Sequence, residues 1–246
     1  MTTVLVTGAT DGLGRALARE LVQAGDTVLI HGRDPDRGAA ALAETGASEL
    51  FLADFASLDA VRGLAAALPP IDVLVNNAGL GFGDREESED GIELRFQVNY
   101  LAGYLLAGAL APSRVINVAS AGQAPIDFDD PMITRGYSGD RAYCQSKLAQ
   151  IMHAFDLAEA GVTANALHPA TFMPTKMVVQ AGIDPISSLE QGVEATLSLV
   201  GRTDVSGRYF NGLAEARADA QAYDSDARAA LRALSDAYLG GEVSAG

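Results

Sequence analysis

The opening of this chain narrows its choice of fold more than any other stretch. A short β-branched run, residues 3–7, passes into Thr7-Gly8-Ala9-Thr10-Asp11-Gly12-Leu13-Gly14, and an alanine- and leucine-rich helical pattern follows to about residue 24. Glycines at 8, 12 and 14 let the backbone turn sharply and approach a ligand closely. The helix that begins there points unpaired N–H groups at any anion above it. The spacing is G-x-x-x-G-x-G, not the commoner G-x-G-x-x-G of dinucleotide sites. Its place between a strand and a helix is what makes it a candidate cofactor turn.

The alternation repeats down the first half. Residues 26–31 read as a second strand, 35–45 as a helix, 49–53 as a third strand, 57–67 as a helix stopped by Pro69-Pro70, and 71–75 as a fourth strand. Strands and helices taking turns with short links predict a mostly parallel sheet covered by helices. Asp54 stands just past the third strand, where it can accept a bond from an adenine amino group or cap the next helix, a task Ser57 also suits. Asn76-Asn77-Ala78-Gly79 closes the fourth strand; the amides favour a turn and the small pair leaves room beside a flat ligand. Asp90 with Glu93 resembles a capping box. The helix after it, residues 91–109, is apolar around much of its circumference, so it needs cover from the sheet and from a further layer such as a second subunit. Asn99 inside that helix is disfavoured by propensity, which leaves a structural bond to nearby backbone and a water-holding role both open.

The end of the second strand bears on which dinucleotide such a turn would hold. An NAD site carries a carboxylate roughly 20 residues past the turn, on the adenosine ribose. Gly32 and Arg33 stand there instead. Without the acid, repulsion toward a 2′-phosphate is gone, and a guanidinium can pair with that phosphate through two bonds. Arg37 and Arg15 are possible helpers. The competing reading is a surface arginine paired with Asp34 or Asp36. The balance predicts NADP in preference to NAD.

In the second half, residues 114–119 read as a fifth strand ending at Ser120, and a long link runs to Tyr143. Links of that length are uncommon unless functional or disordered, so a partly ordered excursion bordering a substrate site is expected over 121–142. Its Asp127, Asp129 and Asp130 suit a solvated acidic loop better than a cation site. Tyr143 and Lys147 open a helix that reads to residue 159, with Leu148, Ile151, Met152 and Phe155 as its core stripe. Positions four apart share a helix face, so phenol and ammonium can point into one cleft. Tyrosine titrates at about 10, and a nearby cation favours the phenolate, bringing proton exchange toward neutral pH. Alone such a pair often decorates a solvated face; the glycine turn gives it weight. Residues 162–168 read as a sixth strand, with His168 a neutral edge residue. Residues 169–186 form a lid restricted by Pro169 and Pro174. Phe172, Met173, Met177 and Val178 make that lid apolar, which suits a hydrophobic or mixed substrate or simply packs the lid shut. Ser187 and Glu190 predict a capped helix, 207–210 a seventh strand, and 214–239 a terminal helix.

Composition sets the outer bounds. The 246 residues can bury a large core, and 48% apolar with 20% charged is globular usage. A net charge of −15 argues against nucleic acid or an anionic membrane as partner. The single cysteine, Cys144, forms no internal disulfide and has no visible partner base; it reads as a small semi-buried side chain in a reducing, cytoplasmic protein. The first residues contain neither a signal peptide nor a membrane anchor. There is no G-x-S-x-G elbow, and three scattered histidines predict no metal site.

Together these residues resemble the short-chain dehydrogenase/reductase family over essentially the whole chain. Thr7-Gly8-x-x-x-Gly12-x-Gly14, Asn76-Asn77-Ala78-Gly79, Asn99, Ser120, Tyr143-x-x-x-Lys147, and Pro169 with Thr175 appear in the family's order. Within it the chain is most similar to the retinol-dehydrogenase-like and protochlorophyllide-reductase-like group, through Ala142 to Leu148 and Tyr209-Phe210-Asn211-Gly212. The resemblance implies an α/β, doubly wound Rossmann fold: one domain over 1–246 with a seven-stranded, mostly parallel sheet of order 3-2-1-4-5-6-7. It implies an NADP-dependent oxidoreductase that moves a hydride between nicotinamide C4 and a carbonyl or alcohol carbon. Homodimers or homotetramers would form through the helices of Asn99 and Tyr143.

By position, the resemblance makes Ser120 the group that polarises the substrate carbonyl and Tyr143 its proton partner. Lys147 would bind the nicotinamide ribose and lower the tyrosine pKa, and Asn99 would support a water-linked proton path. Cofactor contacts are expected at Gly8, Thr10, Asp11, Gly12, Leu13, Gly14, Arg33, Arg37, Asp54, Phe55, Asn77, Ala78, Gly79, Tyr143, Lys147, Pro169, Phe172 and Thr175. Two positions depart from the family: Ala119 replaces the first of two serines, and Ala170 follows Pro169 where glycine is usual. Rival readings are a reductase of C=C bonds, an NADP-binding regulator without turnover, and a nucleotide-sugar epimerase or dehydratase, which would need a larger C-terminal domain.

Overall fold

The computed structural model describes residues 1–240. The strands are β1 (Thr3–Val6), β2 (Thr27–Gly32), β3 (Glu49–Leu52), β4 (Val73–Asn76), β5 (Arg114–Val118), β6 (Thr163–His168), β7 (Arg208–Asn211) and β8 (Ala214–Ala216). They form one sheet in the order β3-β2-β1-β4-β5-β6-β7-β8, the expected Rossmann order with one strand added. Every pairing is parallel except β7 with β8. The extra strand replaces the start of the terminal helix expected over 214–239. Its cause is a two-residue hairpin loop, Gly212-Leu213, with glycine at φ +60° in the first central position. Strand pairing there outweighs the helical propensity of the alanines.

Alternation along the strands sorts the core onto the two faces. Leu5 of β1 joins Leu74 of β4 in one apolar cluster, while Val4, Val6, Val73 and Val75 belong to the other. The first cluster is covered by α3 (Leu58–Ala67), α4 (Ala102–Leu110) and α5 (Gly139–Glu159), the second by α1 (Gly12–Gln23) and α7 (Leu189–Val200). Side chains such as Leu17, Leu74 and Ile151 have no exposed surface, and each such burial is worth roughly 2 kcal/mol. α2 (Pro35–Thr45), capped by Asp34, packs beside α1 over β2 and β3, and the short lid helix α6 (Lys176–Gln180) has no buried residue.

Several helix starts differ from expectation by local bonding. Asp90 accepts from the Leu58 amide at 2.9 Å and from Gln97 Nε2 at 2.7 Å, so it does not cap the next helix; Glu93 does, taking the Phe96 amide at 2.7 Å. That helix passes through a π-helical turn, Phe96–Leu101, which contains Asn99, before α4. The capping box of α7 is Ser188 with Gln191, one residue beyond Ser187 and Glu190. Ser57 precedes α3 without a side-chain capping bond. Ser138 caps α5, so the helix starts at Gly139, four residues ahead of Tyr143.

The long link over 121–142 is fastened down. Gln221 brackets Ile126 by accepting from its N–H and donating to its C=O. Asp130 takes the Thr134 amide and hydroxyl and the Arg135 amide, so this carboxylate closes a loop. The last helix, α8 (Ser225–Tyr238), lies over the flank of α5 and the π turn. Tyr100 bonds Ser235 at 2.7 Å, Tyr104 bonds Asp236 at 2.8 Å, and Arg228 bonds Asp156 at 2.8 Å. Every residue from Gln145 to Phe155 is consequently buried within one chain. Part of the two helices through which the family resemblance implied assembly, at Tyr100, Tyr104 and Asp156, is thus bonded to α8.

Candidate active site

Parallel strands end along one edge of the sheet, and the neighbours of β1 diverge there to β2 and β4, the place where open α/β sheets hold ligands. A cleft of about 760 Å³ lies at this edge. All eighteen residues expected to contact a cofactor border it, as do Ser120, Tyr143 and Lys147; Asn99 stands behind its wall.

The glycine turn is held by contacts that admit no side chain. Gly8 sits at φ +63°, and a β-carbon on it would lie 2.7 Å from the Ala78 Cα. One on Gly14 would lie 2.5 Å from Asn77 Nδ2. Asn77 donates to the carbonyls of Thr7 and Gly8 at 2.8 and 3.2 Å, while the Thr7 hydroxyl accepts from the amides of Asn77 and Ala78. The pair of amides after β4 thus stitches that strand to the turn.

His31, not singled out from sequence, completes the fastening. Its Nδ1 accepts from the Gly8 amide at 3.3 Å, so Nε2 carries the proton and donates to the Ala53 carbonyl at 3.0 Å. The ring stacks on Phe55 with centroids 4.2 Å apart. Burial pulls its pKa down to about 4. The only sequence clue was a histidine at an inward strand position.

At the cleft's adenosine end the charges are mixed. Asp11 caps α1 through the Gly12 amide, and its other oxygen accepts from Arg37 Nη2 at 2.8 Å. Arg15 and Lys176 stand 3.8 Å from the same carboxylate. Arg33 has 67% of its side chain exposed and a loose contact with Asp54 at 3.9 Å. Asp34 serves the amides of Asp36 and Arg37 instead. Asp54 accepts from the Ala56 amide. A β-carbon on Gly32 would fall 2.2 Å from Thr10 Cγ2, so nothing larger than glycine fits there without moving Thr10.

At the other end, Tyr143 and Lys147 project from adjacent turns of α5. Lys147 Nζ donates to the Val118 carbonyl and to Gln150 Oε1, both at 2.9 Å, and lies 5.7 Å from the Tyr143 ring centre. Two of its three protons are held by protein. Burial lowers its pKa to about 7. Tyr143 departs from expectation: burial raises its pKa, and the opposing pull comes from the Ser120 hydroxyl rather than from the ammonium. In the free protein the phenol therefore stays protonated, poised as an acid.

Asn99 uses its whole amide as a clamp. Oδ1 accepts from the Leu80 amide at 2.7 Å, and Nδ2 donates to the Leu80 carbonyl and to Ser146 Oγ. Ser146 in turn donates to the Tyr143 carbonyl at 2.7 Å. His168 meets Thr171 at 2.9 Å, and burial lowers its pKa. Burial pushes the Cys144 thiol up to about 11, away from nucleophile chemistry. Ala170 has no positive φ, so its methyl costs no backbone strain, whereas Phe172 in the lid adopts φ +48°. Met173 packs inward on Gly192, while Met177 lies against Gly81.

Comparison with known proteins agrees with this geometry. Residues 2–185 match the family described as short chain dehydrogenase. Human retinol dehydrogenase 13 is 33% identical, over 98% of this chain and 85% of its own length. A crystal structure of a protein from Mycobacterium paratuberculosis superposes with TM-score 0.84 at 29% identity, covering 99% of this chain and 95% of the other. The Pseudomonas aeruginosa RhlG/NADP active-site complex gives TM-score 0.70 at 27% identity, covering 85% and 94%.

Proposed function

This chain belongs to the short-chain dehydrogenase family, and from that premise we propose that it reduces a carbonyl, or oxidises the matching alcohol, with NADP as cofactor. The carrying observation is the convergence of Ser120, Tyr143 and Lys147 on a cleft whose other end is a glycine turn at a helix start. When bound, the nicotinamide supplies the hydride chemistry at C4.

The protein's own part is to hold the reactants and manage one proton. Gly8 to Gly14 present the start of α1 to the pyrophosphate. With the cofactor bound, Arg33 and Arg37 would hold the 2′-phosphate, Asp54 and Phe55 would border the adenine, and Asn77 to Gly79 would border the ribose. Lys147's remaining proton would be free to bind the nicotinamide ribose. Pro169, Phe172 and Thr175, which border the cleft, would cover the nicotinamide, with residues 169–186 as the lid. The hydroxyls of Ser120 and Tyr143 donate to the substrate oxygen as charge develops on it, so their bonds are strongest in the transition state. Tyr143 then gives up its proton. Asn99 works through Ser146 to hold the turn carrying the tyrosine.

The acidic charge and lone cysteine suit a cytoplasmic setting. No described helix is long and apolar enough to cross a membrane. A homodimer or homotetramer through the helices of Asn99 and Tyr143 remains the assembly that the family resemblance implies. The deciding measurement is NADPH absorbance with a panel of apolar aldehydes and ketones. Consumption above the Tyr143→Phe background supports the proposal; NADPH binding with no turnover on any of them sinks it.

A further inference from the structure

A buried ion pair outside the reacting groups ties together three segments around the substrate end. Glu93 and Arg95 have 2% and 4% of their side chains exposed. Arg95 Nε donates to the Gly81 carbonyl at 2.8 Å and Nη1 to the Asp84 carbonyl at 3.0 Å. Nη1 also reaches the Tyr137 hydroxyl at 2.9 Å, which donates to Glu93 Oε1 at 2.9 Å. Glu93's other oxygen fixes the Phe96 amide.

A buried pair of this kind adds little net stability, because desolvation offsets the attraction. What it adds here is connection. Gly81 and Asp84 bracket Phe82, whose ring meets Tyr143 edge-on with centroids 5.0 Å apart. The same loop is pressed on the start of α5: a β-carbon on Gly139 would lie 2.1 Å from the Gly83 carbonyl oxygen. Phe82 is nonetheless 47% exposed and borders the cleft with Leu94, Val98 and Met177. An apolar ring held rigidly beside the proton donor, with one face open, lacks a partner of matching shape.

We propose that Arg95 is a positioning residue that holds Phe82 against Tyr143, and that Phe82 selects substrates carrying a flat apolar group next to the carbonyl. An aromatic group there meets Phe82 edge-on or offset, geometries that favour ring pairs over aliphatic chains. The selectivity rests on the carbonyl reaction proposed above; the fastening of the loop does not.

The test uses the full chain with Arg95→Lys, which keeps the charge but loses the planar fork that spans two carbonyls. Two readouts are taken: amide hydrogen exchange over 80–85 and 139–145, and kcat/KM with NADPH for an aryl ketone and a short aliphatic ketone. Exchange at the bonded amides flanking the loop, Leu80 and Ala142 to Gln145, should rise about tenfold, the scale of one lost charge-assisted bond. The aryl-to-aliphatic ratio should fall by a similar factor, toward that of Phe82→Ala, and combining the two substitutions should lower it no further. Equal loss for both ketones, additive losses in the double variant, or unchanged exchange would overturn the proposal. Should Arg95→Lys not fold, Tyr137→Phe removes one hydroxyl of the same network and should move both readouts in the same direction by about threefold, a weaker neutral bond. If the unmodified chain turns over neither ketone, the carbonyl reaction fails, and exchange alone judges the positioning role.

Discussion

The Asp11 carboxylate holds the Arg37 guanidinium at 2.8 Å, at the very end of the cleft where a 2′-phosphate would need it. The acid both competes for the arginine and repels the phosphate. Asp11→Asn keeps an oxygen for the Gly12 amide that caps α1. NADPH should then bind up to about tenfold tighter while NADH changes little, as expected for removing one screened charge. Fluorescence titration of both cofactors checks this, with Arg33→Ala as the opposite case: it should weaken NADPH far more than NADH.

Tyr143→Phe removes the proton and little else. The edge contact with Phe82 is with the ring, which phenylalanine retains. Turnover should fall about a hundredfold or more, the scale of general acid catalysis, with NADPH affinity within about twofold of normal. Turnover near the original rate would refute the role of the hydroxyl.

Lys147 should mark the pH profile. Its pKa of about 7 in the free protein means that the ammonium is lost as pH rises through neutrality. In carbonyl reduction kcat/KM for NADPH should therefore decline on the alkaline side from about pH 7, since the ratio for the cofactor reports the free protein. Gln150 Oε1 accepts from the ammonium and so favours the charged form. Gln150→Leu should move the decline to lower pH. A shift to higher pH, or none, would contradict the arrangement.

His31 and acid stability form a separate test. The folded pKa of about 4 lies below the ordinary 6.5, so between these values the unfolded chain binds more protons. Stability is then full above about pH 6.5 and is lost as pH falls toward 4, by about 3 kcal/mol for this site. His153, lowered by burial to about 3, acts in the same direction. Thermal midpoints measured from pH 7 to pH 4 should drop, and His31→Asn should shallow that slope. An unchanged slope would mean that the imidazole is not buried as described.

Arg228 joins α8 to α5 through Asp156 and to the Ala222 carbonyl. Arg228→Ala leaves Asp156, 10% exposed, with Arg232 as its remaining cation. The cost should be about 3 kcal/mol, as for breaking one side of a buried pair. Loosening α8 would also bare the flank of α5, so amide exchange over 156–159 should rise relative to the unmodified chain.

What sequence made legible was local. The glycine turn, the strand ends and the Tyr143–Lys147 spacing are short-range patterns; alternating strands and helices gave a mostly parallel sheet, and the order of its first seven strands came from the family resemblance. Strand β8 lay behind Asn211-Gly212, a hairpin signal masked by the alanines that follow. Glu93 read only as the partner of Asp90 in a capping box and Arg95 was not singled out, because nothing near them in sequence reveals that Tyr137 closes the network. The expected lowering of the tyrosine pKa failed for a similar reason: burial depends on residues far along the chain. Arg37 was named as a phosphate helper, but its hold on Asp11 depends on a contact between α2 and the glycine turn.

The helix carrying Tyr143 is wrapped on every side from Gln145 to Phe155, and its far flank rests on α8. A fused domain, a proteolytic nick or an antibody that disturbs α8 thus reaches the proton donor from behind, without entering the cleft. Activity becomes a remote gauge of how firmly the tail is seated, and distant tail substitutions deserve to be screened by rate as well as by melting.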